Sequence, residues 1–89
     1  MEFEFDPAKS ASNKDKHGMD FVDAQGLWLD EKRITAPLAT EGEERYIMIA
    51  QLHGRCWSAI YTYRQGRVRI ISVRRSRDTE KKYYENNQL

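Results

Sequence analysis

Arg45-Tyr46-Ile47-Met48-Ile49-Ala50-Gln51-Leu52-His53-Gly54-Arg55-Cys56-Trp57-Ser58-Ala59-Ile60-Tyr61-Thr62-Tyr63-Arg64-Gln65-Gly66-Arg67-Val68-Arg69-Ile70-Ile71-Ser72-Val73-Arg74-Arg75 decides the fold. It contains three runs rich in β-branched and aromatic residues, parted by two glycine turns. Arg45 to Leu52 puts Tyr46, Met48, Ala50 and Leu52 on one face and Ile47 and Ile49 on the other, as suits a central strand covered on both sides. Arg55 to Arg64 sets Trp57, Ala59, Tyr61 and Tyr63 against Ser58, Ile60 and Thr62. Arg67 to Arg75 is the third strand. His53-Gly54 and Gln65-Gly66 are too short for a crossover, so the three strands form an antiparallel meander.

The flanks supply the other layer. Glu2 to Phe5 alternates with period two and reads as a short strand burying Phe3 and Phe5. Asp6 can cap a helix whose first position is Pro7, and Gly18 suits the left-handed position after its end near His17. Lys14, Lys16 and His17 complement the dipole of its last turns. Asp20 is a second N-cap, followed by Phe21, Ala24, Leu27 and Trp28 at helical spacing. Asp30 to Glu44 holds Pro37 and Gly42 and reads as a connection, with room for a strand around Arg33 to Ala36. Asp78-Thr79-Glu80 opens a last helix that runs to about Asn87. The order predicts one α+β domain over 1–89. The three-strand C-terminal meander and the N-terminal strand form its antiparallel sheet, packed with two N-terminal helices and one C-terminal helix.

Composition narrows the function. The chain of 89 residues is 33% charged and 39% hydrophobic, with a formal net charge of +1. That total hides an asymmetry. Residues 1–44 carry 11 acids and 5 bases, whereas residues 45–89 carry 10 bases and 3 acids. Seven of the latter bases are arginines between Arg55 and Arg77, a distribution that hints at a polyanionic partner. No apolar run approaches the ~18 residues of a membrane span. The acidic, alternating N-terminus is not a signal peptide. The single cysteine, Cys56, excludes an internal disulfide, and two histidines as distant as His17 and His53 argue against a structural zinc site. No phosphate-binding glycine fingerprint is present. The expectation is a cytoplasmic domain that needs no cofactor.

The arginine run from Arg67 to Arg77 is the densest unusual feature. A guanidinium presents fixed donors that match phosphate oxygens. Arginines on an edge strand also discourage aggregation and pair with acidic segments, and composition favours neither use. Regular alternation would put Arg67 and Arg69 on one face and Arg74 on the other. His17 is the histidine best suited to proton transfer, although a helix-ending histidine also serves simply to bind the last carbonyls.

These residues together resemble a known family. Phe3-Glu4-Phe5-Asp6-Pro7-Ala8-Lys9, Asn13-Lys14-Asp15-Lys16-His17-Gly18, Phe21 and Ala24 resemble the opening of the BrnT toxins. Glu43-Glu44-Arg45-Tyr46-Ile47, Arg67 to Arg75 and Glu80-Lys81-Lys82-Tyr83-Tyr84-Glu85 resemble the later segments, in order and at matching spacing. Phe5 stands where Trp is usual and Val73 where Ala is common. Arg77 replaces a helix-capping Ser or Thr, so Asp78 is expected to take over the cap.

The resemblance implies a RelE-like fold and a ribonuclease toxin of a type II toxin–antitoxin pair. It implies RNA cleavage without a metal, arrest of translation, and a BrnA-type ribbon-helix-helix antitoxin through which the complex reaches operator DNA and represses its operon. On that footing His17, Arg69 and Arg74 are the candidate catalytic residues. His17 transfers a proton, while Arg69 and Arg74 stabilise the phosphorane. Lys9, Lys16, Arg67, Arg77 and Tyr84 are the candidate RNA-binding residues, Tyr84 either orienting substrate or packing the last helix. Arg69 and Arg74 can serve one site only if the strand twists or bulges between them. The second reading is a non-catalytic RNA- or protein-binding module on the same fold.

Overall fold

In the computed structural model, which describes residues 1–87, the three runs form the meander: β3 (Arg45–Leu52), β4 (Arg55–Arg64) and β5 (Arg67–Arg75) pair antiparallel in sequence. The last two positions of the expected 1–89 domain lie outside the described residues. Before the meander come β1 (Phe3–Glu4), α1 (Pro7–His17), a 3-10 helix (Asp23–Leu29) and β2 (Ile34–Leu38); α2 (Asp78–Glu85) follows it. Among the described residues, the sheet has five strands in the order β1-β5-β4-β3-β2. Among the described residues, no helix is long and apolar enough to cross a membrane.

Four expectations need correction. The sheet is mixed rather than antiparallel, because β1 pairs parallel with β5, Phe3 opposite Val68 and Glu4 opposite Arg69. No short turn joins these strands, and a period-two pattern reads the same in either direction. The strand expected around Arg33 to Ala36 forms as β2 and runs on to Leu38, making the sheet five-stranded rather than four-stranded; its Pro37 lies opposite Tyr46 on the sheet's edge, where a missing N–H is tolerated. The second N-terminal helix is a 3-10 helix rather than an α-helix. Asp20 does accept a hydrogen bond from the Asp23 N–H at 2.8 Å, but the regular spiral begins only at Asp23. Gly26 lets that spiral lie directly on β3, since a Cβ there would come within 3.1 Å of Leu52. Finally, Arg77 rather than Asp78 holds the N-cap of α2. Glu80 reaches back to accept its N–H at 2.8 Å, so no Ser or Thr is needed.

The first helix matches its sequence signals. Asp6 accepts from the Ala8 N–H at 2.9 Å, and Gly18 takes the left-handed conformation with φ 83°. The core lies between the helical layer and one sheet face. Met19, Phe21, Ala24, Leu27 and Trp28 bury against Met48, Ala50, Trp57, Ala59, Tyr61, Val68, Ile70 and Val73. Phe3 packs edge-on to Trp28 and Phe5 edge-on to Phe21, which pins β1 to that layer. The opposite sheet face is covered in part by α2, beneath which Ile49 and Ser58 are fully buried.

Candidate active site

One extra residue in β5 sets the site's geometry. Ile60 pairs with Ser72 and Tyr61 with Ile70, so Ile71 has no partner on β4 and forms a β-bulge. Across the bulge the side chains change phase. Arg69 lies opposite Thr62 and Arg74 opposite Ser58, two residues that share a face of β4. Arg67, Arg69, Ser72 and Arg74 therefore all project from the face away from the core. Val68, Ile70 and Val73 remain buried on the core side. The condition for Arg69 and Arg74 to serve one site is met.

Each of these arginines faces a carboxylate. Arg67 Nε is 2.9 Å from Glu2 Oε2 in a pair open to solvent. Arg69 Nη1 is 4.0 Å from Glu4 Oε1, about a quarter of each side chain being exposed. Glu4 Oε1 is buried and has no hydrogen-bond donor among the described residues. Arg74 is gripped hardest: Nη1 and Nη2 donate to Glu80 Oε1 and Oε2 at 2.7 and 2.9 Å. Ser58 Oγ donates to the same carboxylate at 3.0 Å and shares a 2.8 Å hydrogen bond with Ser76 Oγ. The Arg74 guanidinium and the other donors hold the Glu80 carboxyl down to about 2 despite its burial. A bidentate pair fixes the plane of the guanidinium and leaves its side edge for a second anion.

His17 reaches the same stretch of β5 from the end of α1. Lys9, Ser12, Asn13, Lys16 and His17 line a cleft of about 200 Å³ whose far wall is Ile71 and Ser72. The sequence-predicted Lys9, Lys16 and His17 are thus together, beside the bulge. Arg77 is exposed at the start of α2 and makes no ion pair among the described residues.

Tyr84 belongs to a different cleft, of about 250 Å³, walled by Arg55, Cys56, Arg75 and Lys81 with Gln51, Gly54 and Glu85. Its hydroxyl donates to Asp30 Oδ2 at 2.6 Å. Burial and that carboxylate both push the phenol well above its ordinary value. Arg75 also lies over the Trp57 ring at 5.6 Å. Among the described residues Arg55, Arg75 and Lys81 have no carboxylate within ion-pair distance.

Sequence reading missed Arg55, Arg75 and Lys81 as a group because they come from three elements. It also missed Asp30, which gathers the Tyr84 hydroxyl and the Gln51 and Lys32 N–H groups. An Asp before a predicted strand is a weak signal of such a junction. Among the described residues, no group of three or more His, Cys, Asp or Glu could hold a metal ion.

No curated protein matches the chain. The profile of the family described as "Ribonuclease toxin, BrnT, of type II toxin-antitoxin system" matches residues 5–80, from the end of the first strand into α2. That span includes the whole arginine strand, the His17 cleft and Glu80. The chain belongs to the BrnT toxin family.

Proposed function

We propose that the protein is a metal-independent endoribonuclease toxin with a RelE-like fold that acts in the cytoplasm, cleaving RNA and thereby stopping translation. A BrnA-type ribbon-helix-helix antitoxin neutralises it, and the pair binds operator DNA through the antitoxin. Arg69 and Arg74 stabilise charge on the phosphorane, His17 transfers a proton, and Lys9, Lys16, Arg67 and Arg77 guide the backbone. Tyr84 acts through its cleft as an orienting residue. The observation that carries this reading is the bulge at Ile71, which gives Arg69 and Arg74 a common face and borders the His17 cleft. Arginine stays cationic at all relevant pH values, so phosphate stabilisation suits it and proton transfer does not.

Translation arrest in cells by wild type, His17→Ala, Arg69→Ala and Arg74→Ala tests the reading. The expected result is toxicity from wild type and a loss of about 100-fold or more in each folded variant, the scale of losing a proton-transfer group at His17 and a transition-state charge stabiliser at Arg69 or Arg74. Full toxicity in folded His17→Ala removes the proton-transfer role. Full toxicity with Arg69 and Arg74 both replaced removes the site.

The ion pairs of Arg67, Arg69 and Arg74 favour a second reading, in which the arginines chiefly hold the fold of a non-catalytic binding module. RNA cleavage by purified protein in the presence of a chelator separates the two. Chelator-insensitive cleavage supports the toxin reading, and binding without cleavage supports the module.

A further inference from the structure

We propose that Glu4 is the general base of RNA cleavage, working opposite His17 as the acid; this rests on the ribonuclease reading above. Metal-free cleavage needs both a proton acceptor and a proton donor. In-line attack puts the attacking 2′-oxygen and the leaving 5′-oxygen on opposite sides of the phosphorus, so one imidazole cannot serve both within a single step.

Among the described residues, three carboxylates lie within ion-pair distance of the arginine row: Glu2, Glu4 and Glu80. Glu80 is a poor base. Both its oxygens are bound by Arg74, and Ser58 and the Arg77 N–H add to the hold. Glu2 is largely exposed and is bound at 2.9 Å by Arg67, beyond Arg69 and farther from the His17 cleft. Glu4 differs from both. Its pairing with Arg69 is loose at 4.0 Å, its buried Oε1 lacks any hydrogen-bond donor among the described residues, and the exposure that its side chain retains lies elsewhere than at Oε1.

The backbone puts Glu4 in a suitable place. It lies directly opposite Arg69 in the parallel ladder, on the face that Phe3 and Phe5 do not use. Arg69 and Ser72 are three residues apart, roughly 10 Å along a regular strand and less across a bulge. A phosphodiester laid against β5 between Arg69 and Ser72 would have Glu4 on one flank and His17 on the other. The charged groups facing Glu4 are Arg67 and Arg69 from β5 and Glu2 from its own segment.

The step balances without a co-reactant. The 2′-hydroxyl gives its proton to the Glu4 carboxylate, and its oxygen forms a bond to phosphorus. The bond from phosphorus to the 5′-oxygen breaks, and that oxygen takes a proton from the His17 imidazolium. The products are a 2′,3′-cyclic phosphate and a 5′-hydroxyl.

The test uses purified full-length wild type, Glu4→Gln and Glu4→Asp with end-labelled, mixed-sequence single-stranded RNA. Their pH profiles of kcat/KM are compared. Binding is measured separately on the same strand with 2′-O-methyl riboses, which lacks the attacking hydroxyl. Loss of a general base predicts a fall of about 100-fold or more in Glu4→Gln. The wild-type loss of rate towards acid should vanish in that variant, and Glu4→Asp should recover part of the activity. Binding of the methylated strand should hold or tighten, because a negative charge beside Arg69 has been removed. Near-wild-type cleavage by Glu4→Gln, a retained acid limb, or a loss of binding as large as the loss of rate each overturns the assignment. A wild type that leaves RNA intact overturns the ribonuclease reading and the assignment with it.

Discussion

The Asn13 carboxamide holds both backbone groups of Val73, 60 residues later in the chain. Its Nδ2 donates to the Val73 carbonyl at 2.8 Å and to the Met19 carbonyl at 2.7 Å, and its Oδ1 accepts the Val73 N–H at 3.1 Å. β1 pairs with β5 only as far as Glu4 and Arg69. One side chain therefore stands in for a neighbouring strand past the bulge. It also ties α1, and with it His17, to the strand that carries the arginines.

Asn13→Ala should destabilise the fold by about 1–3 kcal/mol, since it strands a buried N–H and two carbonyls. Asn13→Asp should not rescue it, because a carboxylate cannot donate to either carbonyl. Urea denaturation measures both. A midpoint within error of wild type for Asn13→Ala would show that water replaces the amide at no cost.

The Glu80 carboxyl predicts how stability depends on pH. Its folded value, about 2, lies below its ordinary 4.5. The unfolded chain therefore takes up the proton first as pH falls. Glu80's contribution is fully present above about 4.5 and is lost between there and about 2. Glu80→Gln should flatten that part of the acid-unfolding curve and lower stability at neutral pH, where it leaves Arg74 without its bidentate partner. Melting temperature against pH for both proteins checks this. Parallel curves across the acid range would show that other carboxylates control acid unfolding.

The meander and α1 were legible because their signals are local: alternation, glycine turns, an Asp-Pro start and a Gly18 stop. The direction of β1 and the partner of Arg74 were not, because both are fixed by contacts distant in sequence or by packing of α2. The bulge left no mark either. Ile70 and Ile71 are both good strand residues, and only the register against Ile60 and Tyr61 reveals which lacks a partner. Lys9, Lys16 and His17 were legible as a group because a helix brings such spacings together. Glu4 carries no sequence signal beyond its place in an alternating strand, since its relation to Arg69 exists only once β1 lies parallel to β5.

Asp30 should matter more to α2 than its loop position suggests. Burial alone would raise its carboxyl, but hydrogen bonds from Tyr84, Gln51 and Lys32, with the Lys32 charge, outweigh burial and lower it. Tyr84→Phe removes one hydrogen bond and should cost about 1 kcal/mol. Asp30→Ala removes three and should cost more, with faster amide exchange in α2 and at Gln51. Hydrogen exchange followed by residue measures this, and unchanged α2 protection in Asp30→Ala would show that Glu80 alone anchors the helix.

The cleft of Arg55, Arg75 and Lys81 should carry part of the RNA backbone without taking part in the chemistry. Its cations are not paired to carboxylates among the described residues, so a phosphate need displace no internal partner. By contrast, a phosphate at Arg67 competes with Glu2. Replacing Arg55 and Arg75 with Ser should weaken binding of a 2′-O-methyl strand. The slope of log affinity against log salt should fall by about 0.7 for each phosphate that the cleft no longer neutralises. The maximal cleavage rate at saturating RNA should stay near wild type. Arg69→Ala should show the opposite division, with a larger loss in kcat than in binding. A salt slope unchanged in the double variant would exclude this cleft from the path of the RNA, and a collapse of kcat in it would place the cleft inside the reacting centre.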